Sequence, residues 1–374
     1  MNPSDFYAAS NLKDNPFRPS AVGVDDPRAA IWVGYERQQI VLERLLSRVR
    51  ADQVGLTSFV LLYGHWGTGK SHALLWARSW VKKNQAGIAY YLSTLKRDKG
   101  KLSLSSALRE DLVDRGLMPD DLKKFCKWLQ VRVLTVQTSQ EKNADEALRF
   151  LYPIPEAYHL ASRIYHTDGD SDQLKDLLLQ GMGSEHEAVT LFSRVVNLFV
   201  GEIGDAKERF SPAVYLLIDE LDDLGRQPAK DSLQTNDTLR HLYDACPNCF
   251  GLIVAASAEL NTLQHLFTEY VLSRMTRKVE FEFLDQGAAR EFIRQVLDND
   301  RHDPNQKGAT GYFPLDEAAV AMIVSHLREI TPRDVVNTMQ QILEEIRLAN
   351  INPTDGLVSV EQLESKGILD FIFE

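Results

Sequence analysis

Cysteine is scarce in this sequence: three among 374 residues, Cys126, Cys246 and Cys249. Three thiols do not make a disulfide framework. Long apolar runs are also lacking, and none approaches the roughly 18 residues a membrane helix needs. No membrane association is expected. The first residues, Met1 to Asp14, are polar and lack the basic-then-apolar order of a signal peptide. A cytoplasmic location is the expectation. An excess of positive charge is missing too: 42 Lys and Arg face 53 Asp and Glu, a formal net charge of −11. That argues against a chain coated in nucleic acid, while leaving room for a local basic patch. There are no internal repeats and no low-complexity tail. What is present is 44% hydrophobic and 25% charged residues, the composition of a soluble globular protein. The length suits about two domains.

One stretch organises the rest. Gly64-His65-Trp66-Gly67-Thr68-Gly69-Lys70-Ser71 reads G-x-x-x-x-G-K-S. The apolar run Ser58 to Tyr63 precedes it and a helix-like run, His72 to Lys83, follows. Strand, glycine loop and helix form the context in which this pattern binds phosphate. Glycine opens backbone conformations that let successive N–H groups point at an anion, and the helix adds its positive dipole end. Lys70 is expected on the β- and γ-phosphates and the Ser71 hydroxyl on Mg²⁺. His72 and Trp66 read as packing around the loop.

The remaining pattern alternates strands and helices. Residues 1–30 read as an extended arm, rich in Pro and Asp. Ile40, Leu42, Leu45, Leu46 and Val49 lie at helical spacing. Further strands are expected at Ile88–Leu92, Val214–Ile218, Phe250–Ala256 and Lys278–Phe283. The last alternates apolar and charged residues, which suits a sheet edge. Residues 103–200 are mostly helix-patterned, with Val131 to Val136 alternating as a short extra strand would. This length exceeds a usual connection between strands, so it reads as a helical insertion. From Asp285 onward three amphipathic helices are expected, Gln286–Asn299, Leu315–Glu329 and Pro332–Leu348, with a shorter one near Ser359–Ser365.

Hydrolysis needs more than a phosphate loop. Leu216-Leu217-Ile218-Asp219-Glu220 places two carboxylates at the end of an apolar strand, where parallel sheets face their ligands. Asp219 suits a Mg²⁺ ion held through few carboxylates and waters. Glu220, one residue on, suits polarisation of the attacking water. Ser257 ends the next strand and is placed to meet a γ-phosphate. Arg274 and Arg277 precede the last strand, and either could reach a neighbouring subunit's γ-phosphate. Arg333, in Thr331-Pro332-Arg333-Asp334, could couple the C-terminal helices to the nucleotide. Lys96, Arg97, Lys99 and Lys101 make a basic loop, the best nucleic-acid candidate. Cys246-Pro247-Asn248-Cys249 reads as a structural turn, because no second C-x-x-C pair exists to complete a zinc site.

In this order the motifs resemble an AAA+ ATPase, and in detail the group around the replication initiators Orc1/Cdc6. The likeness runs from about Asn15 to Leu348. Asn15-Pro16-Phe17 and Val33-Gly34-Tyr35-Glu36-Arg37 resemble that group's adenine-cupping segment, where an arginine commonly stands at the position of Tyr35. Gly64–Ser71 corresponds to Walker A, and Ile218-Asp219-Glu220-Leu221-Asp222 to Walker B. Ser257 corresponds to sensor 1, Leu272-Ser273-Arg274 to the arginine-finger region and Thr331-Pro332-Arg333 to sensor 2. The resemblance implies ATP and Mg²⁺ as cofactors, a five-stranded parallel sheet in the order 5-1-4-3-2, a helical lid and ATP-dependent homo-oligomers. Two features depart from the group. Little chain follows the lid, so no winged helix is expected, and the insertion before Walker B is long. Bacterial ATPases of phage-defence and mobile-element systems show a similar insertion.

The expectation is therefore an α/β P-loop NTPase. It has an N-terminal arm (1–32), a nucleotide-binding domain (33–284) with a helical insertion at about 96–200, and a helical lid with a tail (285–374). The function expected is an ATP-hydrolysing switch or loader acting on DNA or a DNA-bound partner. The alternative is a nucleotide-gated module that binds a partner protein through the insertion.

Overall fold

A computed structural model describes residues 2–18, 23, 24, 26–98, 100–303, 305 and 310–373. They fall into two compact units. One comprises residues 40–63 and 73–280. The other comprises 1–39, 64–72 and 281–374.

The larger unit is built on a parallel sheet. Its strands are β1 (Ser58–Gly64), β2 (Ile88–Leu92), β5 (Val214–Ile218), β6 (Phe250–Ser257) and β7 (Arg277–Phe281). Two short strands, β3 (Lys96–Asp98) and β4 (Lys101–Ser103), form a separate antiparallel hairpin. The five-stranded sheet runs β2-β5-β6-β1-β7. Numbered along the chain within this sheet and read from the β7 edge, that order is 5-1-4-3-2, as the resemblance implies. β1 and β5 are buried along their whole length, as strands covered on both faces must be. β7 alternates exposed and buried residues and occupies the expected edge. The register pairs Leu92 with Ile218 and Ile218 with Val254. The chain therefore leaves β2, β5 and β6 at the same end of the sheet.

Between the hairpin and β5 the chain is helical, and these helices share one core with the sheet. Phe125 lies 5.3 Å from Phe199, and Phe192 reaches both Tyr90 on β2 and Phe250 on β6, at 6.1 and 6.4 Å. Each fully buried phenylalanine contributes about 1.5–3 kcal/mol through the area it removes from water. The strand expected at Val131–Val136 is instead the C-terminal half of a helix, Leu117–Gln140. Buried Leu122, Phe125, Cys126, Leu129, Val133 and Val136 repeat at three- and four-residue steps through it, while Val131 and Leu134 are exposed. The two-residue alternation was a fragment of this longer helical period.

In the smaller unit, Gln286–Asn299, Glu317–Ser325, Pro332–Leu348, Val360–Ser365 and Ile368–Phe373 are helices around a core that includes Ile293, Val320, Met339 and Ile342. Asp285, Asp316, Thr331 and Ser359 cap four of these helices through their side chains. Ile368–Phe373 was not anticipated. The extended-arm expectation also needs correction. Pro3–Ala9 is a helix, capped by Asn2 with Pro3 in its first turn, and its Phe6 joins Leu12 and Phe17 in the core of this unit. Residues 19–22 and 25 of that arm lie outside the described residues. Among the described residues no helix is long and apolar enough to cross a membrane.

Candidate nucleotide site

The phosphate loop belongs to the smaller unit, and its glycines are there for two physical reasons. Gly64 has φ +145°, and a Cβ on it would lie 2.2 Å from the carbonyl oxygen of Phe281. Gly67 has φ +84°, and a Cβ there would come within 3.0 Å of Thr331 Oγ1 and 3.1 Å of Arg333 Cβ. No larger residue fits either position without strain. Lys70 opens the Lys70–Lys83 helix and is buried; its ammonium donates to the carbonyls of Gly64, at 3.0 Å, and His65, at 2.6 Å. Thr68 Oγ1 donates to His65 O at 2.8 Å. Ser71 is exposed on the first turn of the same helix. Positive-φ glycines, a lysine and a helix N-terminus form a cradle whose chemistry fits a nucleotide phosphate.

Around this cradle the smaller unit gathers several expected residues. The amide of Arg333 donates to Gly67 O at 3.3 Å. The Arg333 guanidinium lies face-on to Trp66, its Cζ 3.7 Å from the ring centroid. Trp66 is 68% exposed, so it is not the packing residue expected from sequence. His65 stacks on Phe283 at 4.4 Å. His72 Nε2 lies 2.6 Å from Ile31 O, and burial holds its pKa below the usual histidine value. Val33 packs against this unit's core, and the Gly34 amide donates to Gln295 at 3.0 Å. Tyr35, in the left-handed region at φ 50°, donates to Glu282 O.

The larger unit carries the carboxylates. Asp219 directly follows β5, is buried, and its amide donates to Leu92 O at 2.9 Å. One carboxylate oxygen accepts from the Tyr91 hydroxyl at 3.0 Å and the other from the Glu220 amide at 2.9 Å. Burial, reinforced by the nearby Asp219 carboxylate, raises the Tyr91 pKa, so the phenol stays a donor. Glu220 is exposed and left-handed, with φ 51° and ψ 48°. Such a conformation in a residue other than glycine costs on the order of 1–3 kcal/mol and is concentrated at functional sites. The Ser257 amide donates to the Asp222 carboxylate, tying the end of β6 to the turn after β5. Sequence reasoning missed Tyr91 and Asp222. The adjacency of β2 to β5 in the implied sheet order was the signal for Tyr91. For Asp222 it was the Asp-Glu-Leu-Asp spacing.

The two arginines before β7 differ. Arg274 makes a two-pronged ion pair with Asp244, at 2.9 and 3.1 Å, and also donates to Tyr270 O. Arg277 is exposed on β7 and makes no ion pair among the described residues. The basic loop is a hairpin rather than a loop, and its three described cations are engaged. Lys96 pairs with buried Asp111 at 3.6 Å, Arg97 with Asp223 at 3.0 Å and Lys101 with Asp231 at 2.8 Å. Lys99 lies outside the described residues. The three cysteines are free and buried. Burial raises the Cys246 and Cys249 pKa values, which keeps both as thiols. No group of three or more His, Cys, Asp or Glu side chains among the described residues is arranged to hold a metal by itself. Mg²⁺ on a nucleotide does not require one, because phosphate oxygens and water complete its shell. A buried carboxylate such as Asp219 and a hydroxyl such as Ser71 suit its hard-oxygen chemistry.

The sheet order and the glycine loop after β1 define an α/β P-loop fold, and in it the chain resembles the AAA+ ATPases. No protein-family model matches the sequence, and no curated protein matches it. Among solved structures the chain is similar to domain III of the replication initiation protein DnaA from Thermotoga maritima. Identity there is 14%, over 95% of this chain and 100% of that one, with a TM-score of 0.45. It is also similar to the ORC2 protein of Aeropyrum pernix in ADPNP–ADP complexes, at 12% identity over 92% and 72%, TM-score 0.49. The Aeropyrum pernix ORC1 protein in complex with DNA gives 11% identity over 93% and 68%, TM-score 0.47.

Proposed function

We propose that this chain binds ATP with Mg²⁺ at Gly64–Ser71 and hydrolyses it, as a switch or loader that assembles through ATP at subunit interfaces and acts on DNA or a DNA-bound partner. The observation that carries this reading is the loop itself: positive-φ glycines at Gly64 and Gly67 where no larger residue fits, with the Lys70 ammonium on the Gly64 and His65 carbonyls at the start of a 14-residue helix. Val33 and Gly34 would flank the adenine. Ser71 and Asp219 would hold Mg²⁺, which neutralises charge on the β- and γ-phosphate oxygens when bound. Glu220 would take the water's proton, and Ser257 would meet the γ-phosphate. Arg277, with no ion-pair partner among the described residues, suits a reach into the neighbouring subunit better than Arg274, which must first release Asp244. Arg333 would sense the terminal phosphate from the lid.

A second reading has its own support. Lys96, Arg97 and Lys101 are each already paired with an aspartate, so DNA would have to compete for these three cations. In that reading nucleotide gates a protein partner bound by the helical insertion, and hydrolysis is slow. ATP turnover with and without duplex and single-stranded DNA, from low to moderate salt, separates the two. The DNA-acting reading expects DNA to change the rate or the oligomer size; indifference to DNA supports the second. In both, Glu220→Gln retains ATP and stops turning it over. Wild-type turnover in that variant would remove Glu220 from the role of base.

A further inference from the structure

The loop residue Trp66 has no place in the phosphate-binding pattern, which accepts any residue at that position. Its surroundings are specific. It is 68% exposed, and what covers it is the guanidinium of Arg333, 3.7 Å from the ring centroid. Arg333 is held by its face and by its own amide on Gly67 O at 3.3 Å. Its guanidinium N–H groups make no hydrogen bond or ion pair with a protein acceptor among the described residues. Stacking uses the plane of a guanidinium and leaves its donor edge open, and that edge matches phosphate geometry. The backbone fixes the same approach. A Cβ on Gly67 would meet both Thr331 Oγ1 and Arg333 Cβ, so the start of the Pro332–Leu348 helix is seated against the loop. Thr331 and Asp334 cap that helix reciprocally, which fixes the backbone from which Arg333 projects.

We propose that Trp66 is a positioning residue. Its ring holds the Arg333 guanidinium beside the phosphate loop with its donors open to the terminal phosphate of a nucleoside triphosphate. Trp66 thereby sets discrimination between tri- and diphosphate, and its indole reports the occupant. The proposal rests on the nucleotide reading above. A surface arginine on an indole contributes modestly, so the expected loss is about 5-fold rather than complete.

The test is the ratio of affinities for ATPγS and ADP, measured calorimetrically on the full chain with Mg²⁺. The wild type should prefer the triphosphate. Arg333→Ala and Trp66→Ala should each lower that preference about 5-fold, and the double variant should lower it no further, because both remove one unit. Trp66→Phe, which keeps a ring face, should retain most of the preference. Thermal melts matching the wild type confirm that each variant is folded. In addition, ATPγS should change the wild-type tryptophan emission more than ADP does, and Trp66→Phe should abolish that difference. An unchanged ratio in folded Trp66→Ala beside a lowered one in Arg333→Ala overturns the role of Trp66 and leaves the nucleotide reading standing. Full additivity in the double variant overturns it as well. Failure of the wild type to bind either nucleotide overturns the nucleotide reading, and this proposal with it.

Discussion

Asp219 shows how much of a site is decided by neighbours that sequence spacing does not reveal. Its two oxygens accept from the Tyr91 hydroxyl and the Glu220 amide, which fix the carboxylate before any ligand arrives. A hydrogen bond to a charged group contributes about 1.5–3 kcal/mol. Tyr91→Phe should therefore raise the Mg²⁺ concentration needed for half-maximal nucleotide binding by about tenfold, beside a modest fall in melting temperature. A lowered melting temperature with unchanged Mg²⁺ dependence would make Tyr91 structural only. The loop residues and the Asp-Glu pair were legible from sequence because their pattern is local. Tyr91 and the Trp66–Arg333 contact were not, because each joins segments far apart in the chain. The left-handed conformation of Glu220 was hidden for another reason: glutamate carries no signal for positive φ.

Among the elements, the five sheet strands were the most legible, since buried parallel strands read as short apolar runs bounded by turns. Their ends shifted by no more than two residues. The insertion was legible as helical but misread within the Leu117–Gln140 helix, where six residues were too few to separate a period of two from one of 3.6. The basic stretch Lys96–Lys101 was misread as a loop, because it pairs with Leu102 and with Ser103, the residue that opened what looked like the next helix. The insertion also proved continuous with the core of the sheet, through Phe125, Phe192 and Phe199. Phe199→Ala should therefore cost about 3–5 kcal/mol and lower one cooperative transition of the larger unit, followed by circular dichroism and by tryptophan emission, to which Trp128 of the insertion contributes. A separate early transition confined to the insertion would contradict a shared core.

At the scale of the molecule, the order β2-β5-β6-β1-β7 followed from the resemblance and not from any feature of the strands themselves. Apolar runs announce strands but leave their neighbours open. The grouping of residues 1–39 and 64–72 with 281–374 was less visible still, because sequence order separates what the fold gathers. That grouping puts the phosphate loop beside the arginine of the C-terminal helices, and the central claim is that this assembly binds ATP. Equilibrium binding of ATP in the presence of Mg²⁺, on the wild type and on Lys70→Ala, tests it most directly. The account predicts saturable one-site binding by the wild type and its loss in a Lys70→Ala chain that melts as the wild type does. Equal binding by both, or none by the folded wild type, would contradict it.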